Sequence, residues 1–531
     1  MHEVVIFMLV GGFVKVGLAN IFSFRPHVEQ LFFLSKVLQD AGHEVFYLTC
    51  DAAVDNCYPR AIKGSSKLKE CAKCIMGGVR SYTGHSVTAI GRGKYDELPE
   101  AVLDELALSS SCTLTRTESE SEWGDEPVLQ VRRSLHIPIA RTYASAKRWI
   151  EDNALEGVIC FNGRMDLTRA VTYACEQTNV PYITHERPWF SQGLHLTPNA
   201  NCLSLKAVGD MVATFDDRPL TLAQARIAGK LVGERFLQRN SLEWRLYNKN
   251  PEPAPWPLSS LGPRVLVLPS SKNEFAGHAE WKSGWIDNTQ ALDDFFEAFG
   301  IAPSQVVVRC HPNWAEKIGQ VGGERSLTLY REWAKRRAIH CISSEQKANT
   351  YDLIQQADIV VLNGGSSAVE AGVCGKQVIC LGPSTYDRAG FVRAFADKTA
   401  MYEARARIDL DPEQIIRKTL RFLYVRSHRH PQFVDFVHPI ETTRYTYYQG
   451  ADASRLIRMF QTGELAADDP TYAVDDSDES EIVELLKKKS WDKLADYPMP
   501  RLKLPKLEIK RRPAFFWVDD FRARLPRGDR G

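Results

Sequence analysis

The stretch Ala357-Asp358-Ile359-Val360-Val361-Leu362-Asn363-Gly364-Gly365-Ser366-Ser367-Ala368-Val369-Glu370-Ala371-Gly372-Val373-Cys374-Gly375-Lys376-Gln377-Val378-Ile379-Cys380-Leu381-Gly382 decides the fold. Ile359 to Leu362 read as a short strand covered on both faces, because such strands are continuously apolar rather than alternating. A small-residue turn follows, a helix starts near Ser367, Gly375 turns the chain, and Val378 to Leu381 form a second apolar strand. That is a βαβ unit whose turn lies at the carboxyl end of a parallel strand, where open α/β sheets bind ligands. Gly364 and Gly365 let a ligand approach the backbone, and Ser366 and Ser367 add hydroxyls beside the unpaired N–H groups of a helix start. An anionic group fits there, and an ordinary turn capped by one of the serines fits the same residues.

The pattern repeats on either side. Arg264 to Pro269 opens a sheet and delivers Ser270-Ser271-Lys272-Asn273-Glu274, while Gln305 to Arg309 delivers Cys310-His311-Pro312-Asn313. Helices are expected over Asn288 to Gly300 and Thr350 to Gln356. Lys272, Arg309, His311 and Asn313, at strand ends, are expected to join Gly364, Gly365, Ser366 and Ser367 around one phosphate or diphosphate. Glu370, one turn into its helix, is placed to reach a ribose hydroxyl.

In the first half, Val4 to Val10 read as a buried first strand, since no basic flank or cleavage site marks a signal peptide. A helix over Val28 to Ala41, Gly42 and the strand Glu44 to Leu48 complete a βαβ unit. The strands Gly157 to Phe161 and Pro181 to Thr184 bracket a helix over Leu167 to Thr178. Together they carry Asn162, Arg164, Asp166, His185, Glu186 and Arg187 to one rim. Glu186 or Asp166 is the candidate general base there, with His185 next, and Asn162, Arg164 and Arg187 are candidates for the acceptor side.

With 531 residues the chain exceeds one ordinary core, and a formal charge of +1 with no basic arm gives no case for nucleic acid. The expected division is an N-terminal domain over 1–250, a proline-rich linker over 251–262, a C-terminal domain over 263–462, and an acidic connector with a basic, aromatic tail over 463–531. Ser109 to Pro127 is expected as a polar surface loop. No apolar run is long enough to cross a bilayer, and apolar-run cysteines suit a reducing compartment, so the expected location is cytoplasmic. The tail's basic and aromatic residues suit contact with an anionic membrane face, or a docking or disordered tail. Cys50, Cys57, Cys71 and Cys74 include one Cys-x-x-Cys. Free or packing thiols are the first expectation for them and a low-odds structural zinc the second.

The motifs His311-Pro312 and Ser366-Ser367, framed by Tyr351 to Asp358 and Glu370 to Lys376, resemble those of GT-B glycosyltransferases of bacterial capsule and surface-polysaccharide biosynthesis, the β-Kdo-transferase type. Sialyltransferases of GT-B fold are a more distant likeness. The match spans about Arg264 to Tyr386 and is looser before it. The resemblance implies an α/β GT-B fold, two Rossmann-like parallel-sheet domains facing a cleft. It also implies a nucleotide-sugar co-substrate, no required cofactor or metal, and donor-phosphate contacts for His311, Ser366 and Ser367. A catalytic residue does not carry over. A non-hydrolysing UDP-N-acetylglucosamine 2-epimerase shares these features, and a non-catalytic scaffold in polysaccharide assembly stands as a third reading.

Overall fold

The computed structural model describes residues 14–524 except 92–97, 191, 241, 243–250, 260, 316, 319–320, 405–408, 474–477 and 501. The run Val4 to Val10 lies outside the described residues, and the first described strand is β1, Lys15–Asn20. It joins β2 (Glu44–Thr49), β3 (Val87–Ala89), β4 (Gly157–Phe161), β5 (Tyr182–Glu186) and β6 (His195–Pro198) in the order β3-β2-β1-β4-β5-β6. All pairs are parallel except β5 with β6. The second sheet contains β7 (Val265–Leu268), β8 (Val306–Arg309), β9 (His340–Ile342), β10 (Ile359–Leu362), β11 (Gln377–Leu381) and β12 (Val392–Phe395), ordered β9-β8-β7-β10-β11-β12 and parallel throughout.

Both sheets follow the 3-2-1-4-5-6 order of a Rossmann fold, so each reverses its winding between its first and fourth strands. The two-domain α/β GT-B architecture expected from the sequence is present. Strands β4, β7, β8 and β10 are buried along their whole length, which is why they read as unbroken apolar runs. Each fully covered valine or isoleucine contributes about 1.5–3 kcal/mol of transfer free energy.

The hydrophobic cores do not respect the boundaries drawn at 250 and 462. Helices Lys206–Phe215 and Leu222–Phe236 lie in the second domain's core through Val208, Val212, Ala228 and Val232. Phe433, Val437, Leu456 and Phe460, from far down the chain, lie in the first. Gly157 shows how closely: a Cβ there would sit 2.8 Å from the Phe460 ring. The chain therefore crosses between domains in both directions.

Two loop expectations are corrected. Residues 109–115 end the helix Glu100–Thr115, and the acidic passage after it, though exposed at Glu120, Ser121, Gly124 and Glu126, docks on the second domain through Glu118. There Glu118 accepts from Lys272 N at 2.7 Å, Asn273 Nδ2 at 3.0 Å and Ser326 Oγ at 2.5 Å. The acidic connector is likewise structured where described. The helix Ser480–Lys487 buries Ile482, Val483 and Leu486, and Glu479 is buried against Arg421, with Nη2 to Oε1 at 2.6 Å. Low apolar content misled in both places because the carboxylates are spent on buried partners rather than on water. The tail is anchored too: Arg511 donates to Met76 O at 2.6 Å and to Asp519 Oδ1 at 3.0 Å. Among the described residues, no helix is long and apolar enough to cross a membrane.

Candidate active site

A cleft of about 970 Å³ lies between the domains, walled by the loops that follow the strands at both reversal points. On the second-domain side, Asn363 at the end of β10 accepts from Ser270 N at 2.7 Å and donates to Ser270 O at 3.0 Å, fixing the β7 and β10 loops together. Gly364 then takes φ +100°, a conformation that a side chain would strain, and turns the chain into the helix Ser367–Val373. The Tyr386 hydroxyl donates to Gly365 O at 3.0 Å and holds the turn from behind. Gly364, Gly365, Ser366 and Ser367 all line the cleft. The helix has only seven residues, so the turn offers local N–H and hydroxyl donors more than a helix dipole.

His311 lines the same cleft. Its Nδ1 accepts from Asn313 N at 3.2 Å, which puts the ring proton on Nε2, and burial lowers its pKa to about 4. Glu370 also reaches the cleft. Its Oε1 accepts from Arg235 Nε at 2.6 Å, while Oε2 is a buried acceptor with no partner among the described residues.

On the first-domain side, Asn162 sits at φ +62° and bridges two site residues. Its Nδ2 donates to Glu186 Oε2 at 3.2 Å, and its Oδ1 accepts from Arg164 N at 3.2 Å. Glu186 Oε1 accepts from Arg187 N at 3.0 Å and lies 3.2 Å from His27 Nε2. Burial and the Arg187 guanidinium bring His27 to about 3, so this contact is a hydrogen bond from a neutral ring. The other ring nitrogen, Nδ1, lies 3.2 Å from Gln30 Oε1, and Gln30 Nε2 is buried with no partner among the described residues. Turning that amide over gives Nδ1 a donor and fixes the proton on Nε2, facing Glu186. Arg164 reaches across the domains to Glu274, Nη2 to Oε2 at 3.1 Å, with Nη1 donating to Ser109 Oγ and Thr113 Oγ1.

Thus Asn162, Arg164, Glu186, Arg187, Arg309, His311, Glu370 and the Gly364–Ser367 turn share one hollow, and four candidates do not. Asp166 is fully buried at the first turn of the helix Asp166–Thr178, where it accepts from Tyr58 N at 2.9 Å and burial raises its pKa to about 6. His185 lies behind the rim, both ring nitrogens without a partner among the described residues, and its pKa is lowered to about 3 by burial. The Lys272 ammonium lies over the rings of Phe275 and Trp281, 5.6 and 5.1 Å from their centroids. Asn313 does not line the cleft. Arg309 reaches the wall, but Nη1 and Nη2 donate to Ser343 O at 2.6 Å and Gln346 O at 2.9 Å, so it braces a loop.

Cleft residues that were not among the candidates include His27, Arg235, Glu274 and Arg426. His27 follows the end of β1, and the strand-end logic that found Glu186 would have found it had β1 been placed at Lys15–Asn20. Arg235 and Arg426 come from helices with no motif around them.

The four N-terminal cysteines line a small hollow of about 30 Å³, and Cys57 is pushed above the usual thiol range by burial. Among the described residues, no three His, Cys, Asp or Glu side chains converge in a way that would hold a metal ion.

No family model matches the chain, and no curated protein does. Solved structures match weakly. The β-Kdo 2,4 transferase KpsC of Thermosulfurimonas dismutans is 14% identical with a TM-score of 0.32, over 62% of this chain and 87% of that one. The UDP-GlcNAc 2-epimerase of Neisseria meningitidis bound to UDP-GlcNAc is 10% identical with a TM-score of 0.28, over 85% and 100%. Sucrose-phosphate synthase of Thermosynechococcus elongatus is 13% identical with a TM-score of 0.27, over 78% and 94%. Likeness at this level settles no activity, and the functional reading rests on the site itself.

Proposed function

We propose that this protein is a glycosyltransferase that moves a sugar from a nucleotide-activated donor, a CMP-, UDP- or GDP-sugar, to a glycan or glycolipid acceptor of surface-polysaccharide type. The observation that carries the reading is the shared cleft: His311, Ser366 and Ser367 form one wall of it and Glu186 with His27 the other.

In the reaction, the acceptor oxygen forms a bond to the anomeric carbon as the bond from that carbon to the donor phosphate breaks. The acceptor proton passes to Glu186, whose Oε2 accepts a hydrogen bond from Asn162 and keeps a lone pair for it. Asn162 and the neutral His27 hold the carboxylate in place, so it does not reorganise as the hydroxyl arrives. The departing phosphate takes up the negative charge at the Gly364–Ser367 turn, whose N–H groups and hydroxyls line the cleft and would stabilise it. Glu370 Oε2, an acceptor in need of a donor, suits a ribose hydroxyl. Backbone and hydroxyl donors meet the phosphate in this scheme, so we propose a metal-independent reaction without a cofactor. We place the protein at the cytoplasmic face of a membrane, with Phe516, Trp517 and Phe521, exposed on the last described helix, as the contact with lipid.

Thermal shifts with CMP, CDP, UDP and GDP identify the nucleotide, because a ligand bound to the native state raises the melting temperature. The matching nucleotide sugars, offered with and without a glycan acceptor, then test the chemistry. Turnover that requires acceptor supports the transferase; epimerisation of UDP-N-acetylglucosamine alone supports the alternative enzyme, and binding without turnover supports a scaffold.

A further inference from the structure

The proposed phosphate site has a deficit of charge. Its expected cations do not serve it: Lys272 does not line the cleft, and Arg309 is bound to backbone carbonyls. His311 is neutral, and the turn supplies dipoles only. Arg25, Lys63, Arg164 and Arg235, which also line the cleft, are matched by Asp519, Glu70, Glu274 and Glu370, and Arg187 donates to Leu242 O at 3.4 Å.

Arg426 is different. It lies on the helical turn Val425–Arg429, lines the cleft, and is 7% exposed, yet no carboxylate or carbonyl among the described residues accepts from it. Among the described residues its one hydrogen-bond contact is Nη1 to His430 Nδ1 at 3.4 Å, and Nε is buried with no partner there. Because Nδ1 of His430 faces a donor, the ring proton sits on Nε2, which is also buried and has no partner among the described residues. Two orphaned donors in one cluster mark a place where an acceptor belongs. The Trp189 ring, 5.5 Å from the guanidinium carbon, softens the burial of this cation without supplying a hydrogen-bond acceptor. His195 and His430 do not compensate either, since burial and the Arg426 charge itself keep both neutral. Arg426 stays charged at neutral pH although burial brings it down to about 10.

Its position connects it to the turn. Tyr386, whose hydroxyl donates to Gly365 O, packs its ring 6.2 Å from Trp189, the ring beneath Arg426. We propose that Arg426 is the charged anchor for an oxyanion of the bound ligand, with the donor phosphate held at the Gly364–Ser367 turn as its source. This rests on the nucleotide-sugar reading of the cleft, but a carboxylate on the transferred sugar or on the acceptor would meet Arg426 through the same chemistry.

The test is calorimetric titration of the full chain and its Arg426→Gln and Arg426→Lys variants with the nucleotide that stabilises it most, its parent nucleoside, inorganic pyrophosphate and glucuronate. Loss of a charge-assisted contact predicts about a thirtyfold weaker nucleotide affinity in Arg426→Gln and a smaller loss, about fivefold, in Arg426→Lys, with nucleoside affinity unchanged. If Arg426→Gln does not fold, the lysine variant carries the test alone: a loss on nucleotide and none on nucleoside supports the assignment. Nucleotide affinity within twofold of the parent chain in every folded variant overturns the Arg426 assignment, and the donor reading survives if the Ser366→Ala, Ser367→Ala double variant still binds weakly. Glucuronate binding that depends on Arg426, with no nucleotide binding at all, overturns the phosphate source and the donor reading but keeps the oxyanion site. No binding of any oxyanion by the parent chain overturns both.

Discussion

The two domains have the same strand order and opposite rims. At the first domain's reversal point the charges are anchored: Glu186 is held by Asn162, Arg187 N and His27, and Arg164 is bound to Glu274. At the second domain's reversal point the cleft meets glycines, serine hydroxyls and a neutral histidine. One topology thus presents a positioned proton acceptor on one side and a set of neutral donors on the other. The difference lies in the loops after β4 and β5 against those after β8 and β10, and the sheets beneath are interchangeable platforms.

The largest expected effect tests what the halves share, a dry interior. Burial lowers His27, His185 and His195 in the first half and His428 in the second to about 3, and His311 to about 4. A histidine whose folded pKa is depressed leaves the unfolded chain binding more protons, so its stabilising term is complete above the unfolded value near 6.5 and is lost as pH falls below it. Each costs about 2 kcal/mol by pH 5. Asp166, raised to about 6, works in the opposite sense and returns about 1.4 kcal/mol over the same interval. The net is a loss of several kcal/mol, comparable with the whole stability of a domain. Melting temperature measured from pH 7.5 to 5 is expected to fall steeply, and less so in His185→Phe and His428→Phe alike. A flat profile would show that these rings see water.

Next comes the contrast itself. Glu186→Gln keeps the shape and the Asn162 contact but removes the proton acceptor. Turnover with donor and acceptor is expected to fall by about 10²–10³, with donor dissociation constant within twofold. Ser366→Ala with Ser367→Ala is expected to do the reverse, weakening donor binding by about tenfold to a hundredfold through two lost contacts to a charged oxygen. If both variants lose donor affinity equally, the rims do not divide the work as the geometry suggests.

How far the sequence shows this contrast depends on whether a residue's role is local. Strands β4, β7, β8 and β10 were legible because burial on both faces leaves only apolar residues, and the residues after them were placed on the rims by strand direction alone. What a side chain does once there depends on distant parts of the chain. Lys272 and Arg309 looked like phosphate ligands until Trp281 and the 343–346 loop engaged them. Asp166 looked like a base until Tyr58, more than a hundred residues earlier, took its carboxylate. The acidic passages near 118 and 479 read as solvated because their partners, Ser326 and Arg421, are far away in sequence. Arg426 carries no motif, and its lack of an acceptor is a fact of three dimensions.

The smallest expected effect concerns the tie between the rims. Glu274→Gln removes the carboxylate that faces Arg164 but leaves the guanidinium its hydroxyl partners, Ser109 and Thr113. The Glu274 side chain is 45% exposed, so solvent screens the pair, and about 1 kcal/mol of stability or less is at stake, a shift of a few degrees at most. The same ion pair nonetheless fixes how the Asn162–Glu186 rim sits opposite the β7 loop. If it only stabilises, turnover stays within threefold of the parent chain while the melting temperature drops slightly. A fall in turnover approaching that of Glu186→Gln, at nearly unchanged melting temperature, would show that the two rims work only when held in register by Arg164, and that the proton acceptor and the phosphate site form one assembly across the cleft.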